Sequence, residues 1–412
     1  MSHRPSTAPV ASHERAARTK VEIEEAGGVA SAHVSRRQCL AAAAGGLFAM
    51  RARAQPNEIV IGQSTPLTGV LATSGAQIRD GIKLCFDQVN ASGGVHGARI
   101  RHVVRDDGYK VEETMRQTQA LIDKDRAVAL IGYAGTANVA ELLKQGTLAQ
   151  AGIAMVGPVT GAQALRTPFN PNVFHVRAGY ADEMEHMVNH LYTIGIRRIG
   201  VFYQNDGFGQ AGLAGAEQAA AKRGLKLAVT AGYERNTMDL DVSKAVSAIR
   251  ANEPQALIMV AINKPAAAFA KAYRLAGGSA QLLNISVVDA GELIKLAGLD
   301  TVQGLGITQV MPFPYTPGLP VVREYQALLA QAGEPQAEPS YFSLESFIGA
   351  KVLVEGLRRA GPNPTPEKVM RALEGIDAYD TGGFAVRYGR RNRVGSRFVD
   401  ITIIGRNGKL LR

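Results

Sequence analysis

The chain has 412 residues, of which 46% are hydrophobic and 20% are charged, a composition typical of a globular protein with two or three domains. The formal net charge is +10, but the residues from Gln55 onwards carry only 38 Lys and Arg against 32 Asp and Glu, a mildly basic balance of +6. Outside Tyr388–Arg397 no run of Lys and Arg is interleaved with aromatic residues, so no nucleic-acid-binding footprint is present. Two cysteines cannot form a disulfide framework. No stretch is long and apolar enough to span a membrane.

The first 54 residues are predicted to be an export signal preceded by a disordered leader. Residues 1–34 are polar and aperiodic, so they are either disordered or translated upstream of the true start. Paired arginines in Ser35–Leu40, the apolar run Ala41–Met50 and the small-residue site Ala52–Ala54 follow in the order typical of an export signal. The arrangement resembles a twin-arginine signal from Ser35 to Ala54, which predicts a periplasmic protein. The alternative is a short buried helix at a domain edge.

A first alternation of strands and helices occupies residues 58–165. Its strands are predicted from short apolar runs of the kind that buried parallel strands show, and its helices from apolar residues at helical spacing. The predicted strands are Glu58–Gly62, Ile100–Arg105, Ala129–Ile131 and Ile153–Val156. One helix is predicted after a loop that extends through Gly75, and the next is predicted at Glu112–Asp123.

Two loops of this alternation are candidates for ligand binding. Gly132–Asn138 and Gly157–Gly161 each follow a strand, and each is predicted to lead into a helix. In a parallel sheet such loops meet at the carboxyl edge, where free backbone N–H groups and helix dipoles favour a negative group. Thr136 and Thr160 add hydroxyl donors, so the loops suit a small carboxylate. The alternative is that both are ordinary turns.

A second alternation of the same kind follows Phe174–Arg177 and runs to about residue 310. It predicts two doubly wound, Rossmann-like α/β lobes. Its strands are predicted at Arg198–Tyr203, Lys226–Val229, Ala256–Ala261 and Leu282–Val288, and its helices at Ala181–Ile194, Gly212–Arg223, Asp241–Ala251, Pro265–Ala276 and Glu292–Ala297.

The last hundred residues begin with prolines at 312, 314, 317 and 320, a density typical of a crossing segment. The predicted helices are Val321–Ala332, Ser343–Ala360 and Pro366–Glu374, and strands are predicted near Phe384–Tyr388 and Arg397–Ile404. The basic turn Gly389–Ser396 between these strands is interpreted as a solvated hairpin tip, with a patch for a partner as the alternative.

One glycine motif imitates a dinucleotide site. Gly207–Gly212 matches G-x-G-x-x-G, and Glu234 lies at the distance of the acidic residue in that fingerprint. The loop Gln204–Asp206 separates the motif from its strand, whereas the fingerprint requires a tight turn. The export signal also favours a compartment where free NAD is scarce, so a dehydrogenase is not predicted.

No catalytic or metal-binding constellation is found. Asp106 and Asp107 lack further ligands at a fixed spacing, and a charge role at a helix N-terminus is expected for them. His186 and His190, with Glu183 nearby, are interpreted as surface or core-edge residues rather than zinc ligands. Cys85 lies on an apolar stripe and is predicted to be a buried thiol. We therefore predict no catalytic residue, no metal, no cofactor and no enzymatic activity.

The order and spacing of several stretches resemble a known family. IVIGQSTPLTGVLATSGAQIRDGIKLCFDQVNASGGVHGARI, then LIGYAGTANV, MVGPVTGAQAL, RIGVFYQNDGFGQAGL and GLGITQVMPFP, are similar to periplasmic solute-binding proteins of the leucine/isoleucine/valine-binding group. The resemblance runs from Glu58 to the end of the chain. It implies a type I binding protein of two lobes joined by three crossings, near Val176–Ala178, Thr308–Met311 and Ala385–Arg387. The implied lobes are residues 57–176 plus 311–385 and residues 177–310 plus 386–412.

The resemblance also implies a ligand site in the cleft between the lobes, closed by hinge motion. Thr136 matches the hydroxyl that binds the α-carboxylate, and Asp289 lies at or beside the acidic anchor for the α-ammonium. Ser74 and Phe208 fall on aromatic-wall positions, and Tyr180 could stack on a ring. The full set of expected ligand-binding residues is Ser74, Ala134, Gly135, Thr136, Val159, Thr160, Gly161, Tyr180, Phe208, Asn263 and Asp289.

Two departures from the family pattern leave the ligand open. The hydroxyl of the second loop stands at Thr160, one place early, with Gly161 in its slot, and the acidic anchor is shorter. The ligand is therefore an amino acid, branched-chain or related, or an amine-free carboxylate such as an aromatic acid. The implied partners are an ABC permease and its ATPase, and a monomer is expected. The alternative is an extracellular sensor of the same fold.

Overall fold

A computed structural model describes residues 58–235, 240–332 and 338–412. The predicted leader and export signal lie outside the described residues. Within the described part of the chain, no helix combines the length and the apolar character that a membrane span requires.

The first lobe is built on a sheet of five parallel strands in the order β2-β1-β3-β4-β5. Strands β3 and β4 are only three residues long and fully buried, as strands covered on both faces by helices are. The strands are β1 (Glu58–Thr65), β2 (Arg99–Asp106), β3 (Ala129–Ile131), β4 (Ala154–Val156) and β5 (Val173–Phe174).

Helices cover both faces of this sheet. They follow the strands along the chain as α1 (Ala72–Ala91), α2 (Val111–Asp123), α3 (Thr136–Lys144) and α4 (Thr147–Gln150), with short 3₁₀ turns at Gly69–Leu71 and Gln163–Leu165.

The second lobe is built on a sheet of seven strands in the order β14-β13-β10-β9-β8-β6-β7. Strand β13 pairs antiparallel with both β10 and β14, and the other neighbouring strands pair parallel. The strands are β6 (Ile199–Gln204), β7 (Val229–Tyr233), β8 (Ala256–Val260), β9 (Gln281–Asn284), β10 (Gly306–Gln309), β13 (Asp400–Ile404) and β14 (Leu410–Leu411). The helices are α5 (Tyr180–Thr193), α6 (Gly207–Ala221), α7 (Ser243–Ala251), α8 (Asn263–Leu275), α9 (Ala290–Ala297) and α10 (Leu299–Val302).

The core of the first lobe is completed by late segments of the chain. The helices are α11 (Pro320–Gln331), α12 (Tyr341–Ala360) and α13 (Pro366–Glu374), followed by the small hairpin of β11 (Tyr379–Asp380) and β12 (Ala385–Val386). Apolar side chains of all three helices share one cluster with strands β1, β3 and β4 and with α1. Helix α12 buries 14 of its 20 residues, so it is a central element of that core.

The two-lobed α/β fold class is confirmed, while several local boundaries differ from the prediction. Helix α1 begins at Ala72, so Ser74 and Gly75 are helical rather than part of a loop. The loop Gly157–Gly161 leads only to a single 3₁₀ turn at Gln163–Leu165. The strand predicted at Lys226–Val229 lies at Val229–Tyr233, because a half-exposed strand carries no continuous apolar run. The chain passes between the lobes after β5, after β10 and after β12, and the exact lobe boundaries stay a prediction.

Candidate functional site

The two candidate loops lie side by side because they follow the neighbouring strands β3 and β4. The Val159 N–H donates to the Tyr133 carbonyl at 2.7 Å, and Ala134 pairs with Val159 in an isolated parallel bridge. Beyond this bridge the Oγ1 atoms of Thr136 and Thr160 are 2.6 Å apart. The pairing of the loops therefore brings the two predicted hydroxyls into one hydrogen-bonded pair.

The N-terminus of α3 faces the same place and has no side-chain cap. Its N-cap residue is Gly135, with φ of 100°, and Thr136 is the first helical residue. A Cβ on Gly135 would lie 2.6 Å from Cε2 of Tyr109, so only glycine allows this close approach. The first N–H groups of a helix have no partner within it. Together with the threonine hydroxyls, they form a donor-rich end suited to an anion.

Gly135 and Thr136 line an adjoining cavity, whereas Thr160 lies outside its lining and reaches it only through the hydrogen bond to Thr136. Seven of the expected residues line it, namely Ser74, Ala134, Gly135, Thr136, Val159, Tyr180 and Phe208. The other lining residues are Pro66, Leu71, Gly75, Ile78, Tyr109, Ile262, Val287 and Phe342. None of these described lining residues has an ionised side chain, so the cavity is apolar except for hydroxyls and backbone groups.

Two tyrosines of the lining remain neutral. Burial raises the pKa of Tyr109 to about 12. Burial also raises the pKa of Tyr180, against the opposing effect of the nearby Arg177 guanidinium. The rings of Tyr180 and Phe208 meet edge to face, with centroids 5.5 Å apart. The cavity thus offers an aromatic wall of the kind expected from Phe208 and Tyr180.

Gly161 supports this wall rather than contacting a ligand from the cavity lining. The Tyr180 N–H donates to the Gly161 carbonyl at 2.7 Å. A Cβ at position 161 would lie 2.4 Å from Cδ1 of Tyr180. The departure from the family pattern therefore has a steric reason, because any side chain at Gly161 would displace the Tyr180 ring.

Ser74 and Asn263 meet across the cleft. Asn263 is the first residue of α8, and its Nδ2 lies 3.3 Å from Oγ of Ser74 on α1. Both side chains are buried. Ser74 therefore takes part in a contact between the lobes.

Tyr109 and Phe342 also line the cavity with aromatic side chains. Neither residue was predicted from the sequence to contact a ligand.

Asp289 lies outside the lining of this cavity, in a separate and larger cleft. One carboxylate oxygen caps α9 by accepting from the Glu292 N–H at 2.9 Å, and the other lies 3.5 Å from Nε2 of Gln77. The Asp289 N–H donates to Oδ1 of Asn263 at 2.7 Å. The structure thus gives Asp289 a capping role, and its role as an ammonium anchor stays a prediction.

Arg235 makes a third contact between the lobes. It follows β7, and its Nη2 donates to the Tyr109 carbonyl at 2.7 Å and to Oδ1 of Asn138 at 2.6 Å. Its guanidinium also lies over the Tyr109 ring, with Cζ 3.9 Å from the centroid, and pairs with Asp206 at 3.0 Å. Arg235 therefore holds a cavity-lining residue of the first lobe from the second lobe.

The glycine motif at 207–212 is not arranged for a dinucleotide. Helix α6 begins at Gly207, and the Asp206 carboxylate accepts from the N–H groups of Phe208 and Gly209 at its N-terminus. A carboxylate thus occupies the position where a pyrophosphate would bind. The motif instead places Phe208 in the cavity wall.

The expected helix-terminal role of Asp106 and Asp107 is wrong. Asp106 accepts from the Leu67 N–H at 2.8 Å and from the Thr68 hydroxyl at 2.6 Å, while Asp107 accepts from Ser64 and Thr114. Both carboxylates therefore bind donors near the carboxyl ends of β1 and β2, and the helix that follows begins at Val111 with Lys110 as its N-cap residue.

Cys85 is buried as predicted, and burial raises the pKa of its thiol to about 12. No group of three or more His, Cys, Asp or Glu side chains among residues 58–235, 240–332 and 338–412 is arranged to hold a metal ion.

Comparison with known proteins identifies the family of the chain. A family model described as "periplasmic binding protein" matches residues 58–409. A substrate-binding periplasmic protein from Ralstonia solanacearum is 42% identical, with a TM-score of 0.81 over 86% of this chain and 99% of that chain. An amino acid binding protein of Pseudomonas aeruginosa is 25% identical over 74% of this chain and 80% of its own length. Leu/Ile/Val-binding protein homolog 8 of Brucella abortus is 24% identical over 82% and 85%.

The fold and the cleft define a binding protein rather than an enzyme. The chain belongs to the periplasmic binding protein family, and within it to the leucine/isoleucine/valine-binding group that the sequence resembled. This family consists of substrate-binding proteins that perform no chemistry on their ligands.

Proposed function

We propose that the protein is the periplasmic substrate-binding component of an ABC importer and that its ligand is a small amine-free carboxylate with an apolar body. The observation that carries the ligand class is the chemistry of the side chains and backbone groups that line the cavity. Its lining carries donors at Thr136, which is hydrogen-bonded to Thr160, and at the start of α3. The rest of its described lining is apolar except for the hydroxyls of Ser74, Tyr109 and Tyr180.

The absence of an acidic side chain from that lining argues against an α-amino acid. An ammonium group transferred into an apolar cavity without a carboxylate partner loses its hydration at a large cost in free energy. Asp289 would be the partner, but it caps α9 outside the cavity. An aromatic or branched aliphatic acid, in contrast, needs only the donor-rich end and the apolar wall.

Capture would proceed by closure of the lobes around the ligand. The side-chain contacts Ser74–Asn263 and Arg235–Asn138 join opposite lobes, so they support the closed form in which the cavity is sealed. A ligand that contacts both lobes favours this form. The closed protein would then deliver the ligand to a membrane permease driven by its ATPase.

The test uses ligands matched in shape that differ only by the amine. The melting temperature of the full chain is measured with leucine against 4-methylpentanoate, and with phenylalanine against 3-phenylpropionate. A ligand present at a hundredfold excess over its Kd stabilises the folded form by about 2.7 kcal/mol. We expect a shift with at least one amine-free acid and none with its amino acid, and no shift with 3-phenylpropanol, which lacks the carboxylate.

A larger shift with the amino acid of either pair would overturn the proposed ligand class and support Asp289 as an ammonium anchor. The transport role is tested separately by deleting the gene and measuring uptake of the labelled ligand. Unchanged uptake would reject the importer component and favour the extracellular sensor.

A further inference from the structure

A further cleft, with a volume of about 310 Å³, lies where the first and third crossings of the chain pair with each other. His175 in the first crossing exchanges backbone hydrogen bonds with the hairpin tip of the third, through Arg393 at 2.8 Å and Gly395 at 2.7 Å. The walls come from this tip and from the loop that contains Arg166. We call it the arginine cleft, and it is distinct from the ligand cavity, with which it shares no lining residue.

The lining of the arginine cleft is strongly positive. It contains four arginines, Arg166, Arg391, Arg393 and Arg397, against one acidic residue, Asp182. Arg397 pairs with Asp182 at 2.9 Å, and Arg393 pairs with Glu374 at 3.3 Å. Arg391 has no ion-pair or hydrogen-bond partner within the described part of the chain. The cleft therefore has an uncompensated positive charge.

Two buried atoms of the wall also lack partners. Arg166 donates from Nη1 to the Thr160 carbonyl and from Nη2 to the Arg177 carbonyl, both at 3.2 Å, whereas its buried Nε has no acceptor. The Nε2 atom of buried His175 lies 3.3 Å from the Leu165 carbonyl, and its Nδ1 has no partner. Burial, reinforced by the Arg177 guanidinium, lowers the pKa of Arg166 to about 10.

We propose that the arginine cleft binds a small tetrahedral oxyanion of the phosphate class. Guanidinium groups donate in a fork that matches the oxygens of phosphate. Arg166 approaches the cleft from one chain segment and Arg391 and Arg397 approach it from another, an arrangement that suits a tetrahedral rather than a planar anion. Two of the four arginines, Arg393 and Arg397, are paired with carboxylates, and the two remaining positive charges favour a multiply charged ion over a monocarboxylate. The basic turn of the sequence analysis is then part of a binding site rather than a solvated hairpin tip only.

The test is calorimetric titration of the full chain with inorganic phosphate at constant ionic strength, with sulfate and acetate as comparison anions. We expect saturable binding of phosphate or sulfate at one site and none of acetate. R391A should weaken this binding by about tenfold or more, because a charge-assisted hydrogen bond is lost. R390A is the matched control, since Arg390 is the exposed neighbour that does not line the cleft, and a change of at most about twofold is expected.

Three results would overturn the proposal. They are the absence of saturable phosphate or sulfate binding, equal weakening by R390A and R391A, and binding of acetate as tight as that of phosphate. T136V is the control for the ligand cavity and should leave phosphate binding unchanged, so a loss in T136V would place the anion at the start of α3 instead. Equal melting temperatures of R390A, R391A and the parent chain establish that the variants are folded.

Discussion

At the scale of single residues, Thr136 brings a hydroxyl to the cavity lining and is hydrogen-bonded to Thr160, which lies outside that lining. Their Oγ1 atoms are 2.6 Å apart, so one hydroxyl donates to the other. The hydroxyl that accepts keeps its own hydrogen as a donor for a ligand. The uncapped start of α3 lies beside the pair. A carboxylate bound here would replace water as the acceptor for these groups.

T136V is expected to weaken ligand binding by about tenfold, because the isosteric valine removes a donor to a charged acceptor without changing the volume of the side chain. Calorimetric titration with the ligand found in the panel measures the change. T230V is the control, since Thr230 is an exposed residue of β7 in the second lobe. Unchanged affinity in T136V would show that the carboxylate does not bind at the start of α3.

Gly161 makes a separate contribution through packing. G161A is expected to lower the free energy of unfolding by about 1–3 kcal/mol, because the added Cβ would lie 2.4 Å from Cδ1 of buried Tyr180 and one of the two must move. Urea denaturation measures the loss. G318A is the matched control, since a Cβ at Gly318 meets no atom within 4 Å. If both variants were equally stable, the ring of Tyr180 would not depend on Gly161.

At the scale of elements, β2 and α1 meet at the edge of the first sheet through His102 and Phe86. The rings pack edge to face, with centroids 5.4 Å apart, and Nε2 of His102 is buried without a partner. Burial lowers the pKa of His102 to about 4, with the cations Arg79 and Lys83 adding to the effect and Asp87 opposing it. The folded state therefore favours the neutral imidazole more than the unfolded state does.

Stability should consequently fall as the pH drops. The folded-state pKa lies below the unfolded value of about 6.5, so the contribution of His102 is complete above pH 6.5 and is lost between about pH 6.5 and pH 4, by no more than about 3 kcal/mol. In H102F the free energy of unfolding should lose this part of its pH dependence, while H190N, a change at an exposed residue of α5, should retain it. Parallel pH profiles for H102F and the parent chain would contradict the assignment.

Some elements can be predicted from the sequence more accurately than others. Ala129–Ile131 and Pro366–Glu374 were predicted with their observed ends, because a buried apolar run and a proline at the first helical turn are local signals. The paired threonines were found for a related reason, since the carboxyl ends of neighbouring parallel strands meet at one edge. Tyr109 and Phe342 were missed because they reach the cavity from distant segments, and nothing local distinguishes them from core residues.

At the scale of the whole molecule, Arg235 connects the two lobes in their closed arrangement. Its hydrogen bonds to the Tyr109 carbonyl and to Asn138 join the second lobe to the first, so these bonds stabilise only the form in which the lobes meet. An interaction specific to one conformation shifts the equilibrium between conformations and thereby changes the apparent affinity for the ligand.

R235A is therefore expected to raise the Kd for the ligand by about tenfold, chiefly through faster dissociation. Stopped-flow and calorimetric measurements give the two quantities. R223A is the control, because Arg223 pairs with Glu185 at 2.7 Å within the second lobe and makes no bridge to the first. Equal affinities for R235A and R223A would show that the Arg235 contact does not contribute to closure.

The late position of α12 in the chain has a consequence for synthesis. The five strands of the first sheet leave the ribosome well before residues 341–360, yet α12 fills the core of that lobe with 14 buried residues. The nascent chain must therefore keep the apolar side of its first sheet uncovered while most of the second sheet is already emerging. A polypeptide that terminates early, before Tyr341, would retain this exposed surface permanently and would be a substrate for chaperones and proteases rather than a smaller binding protein.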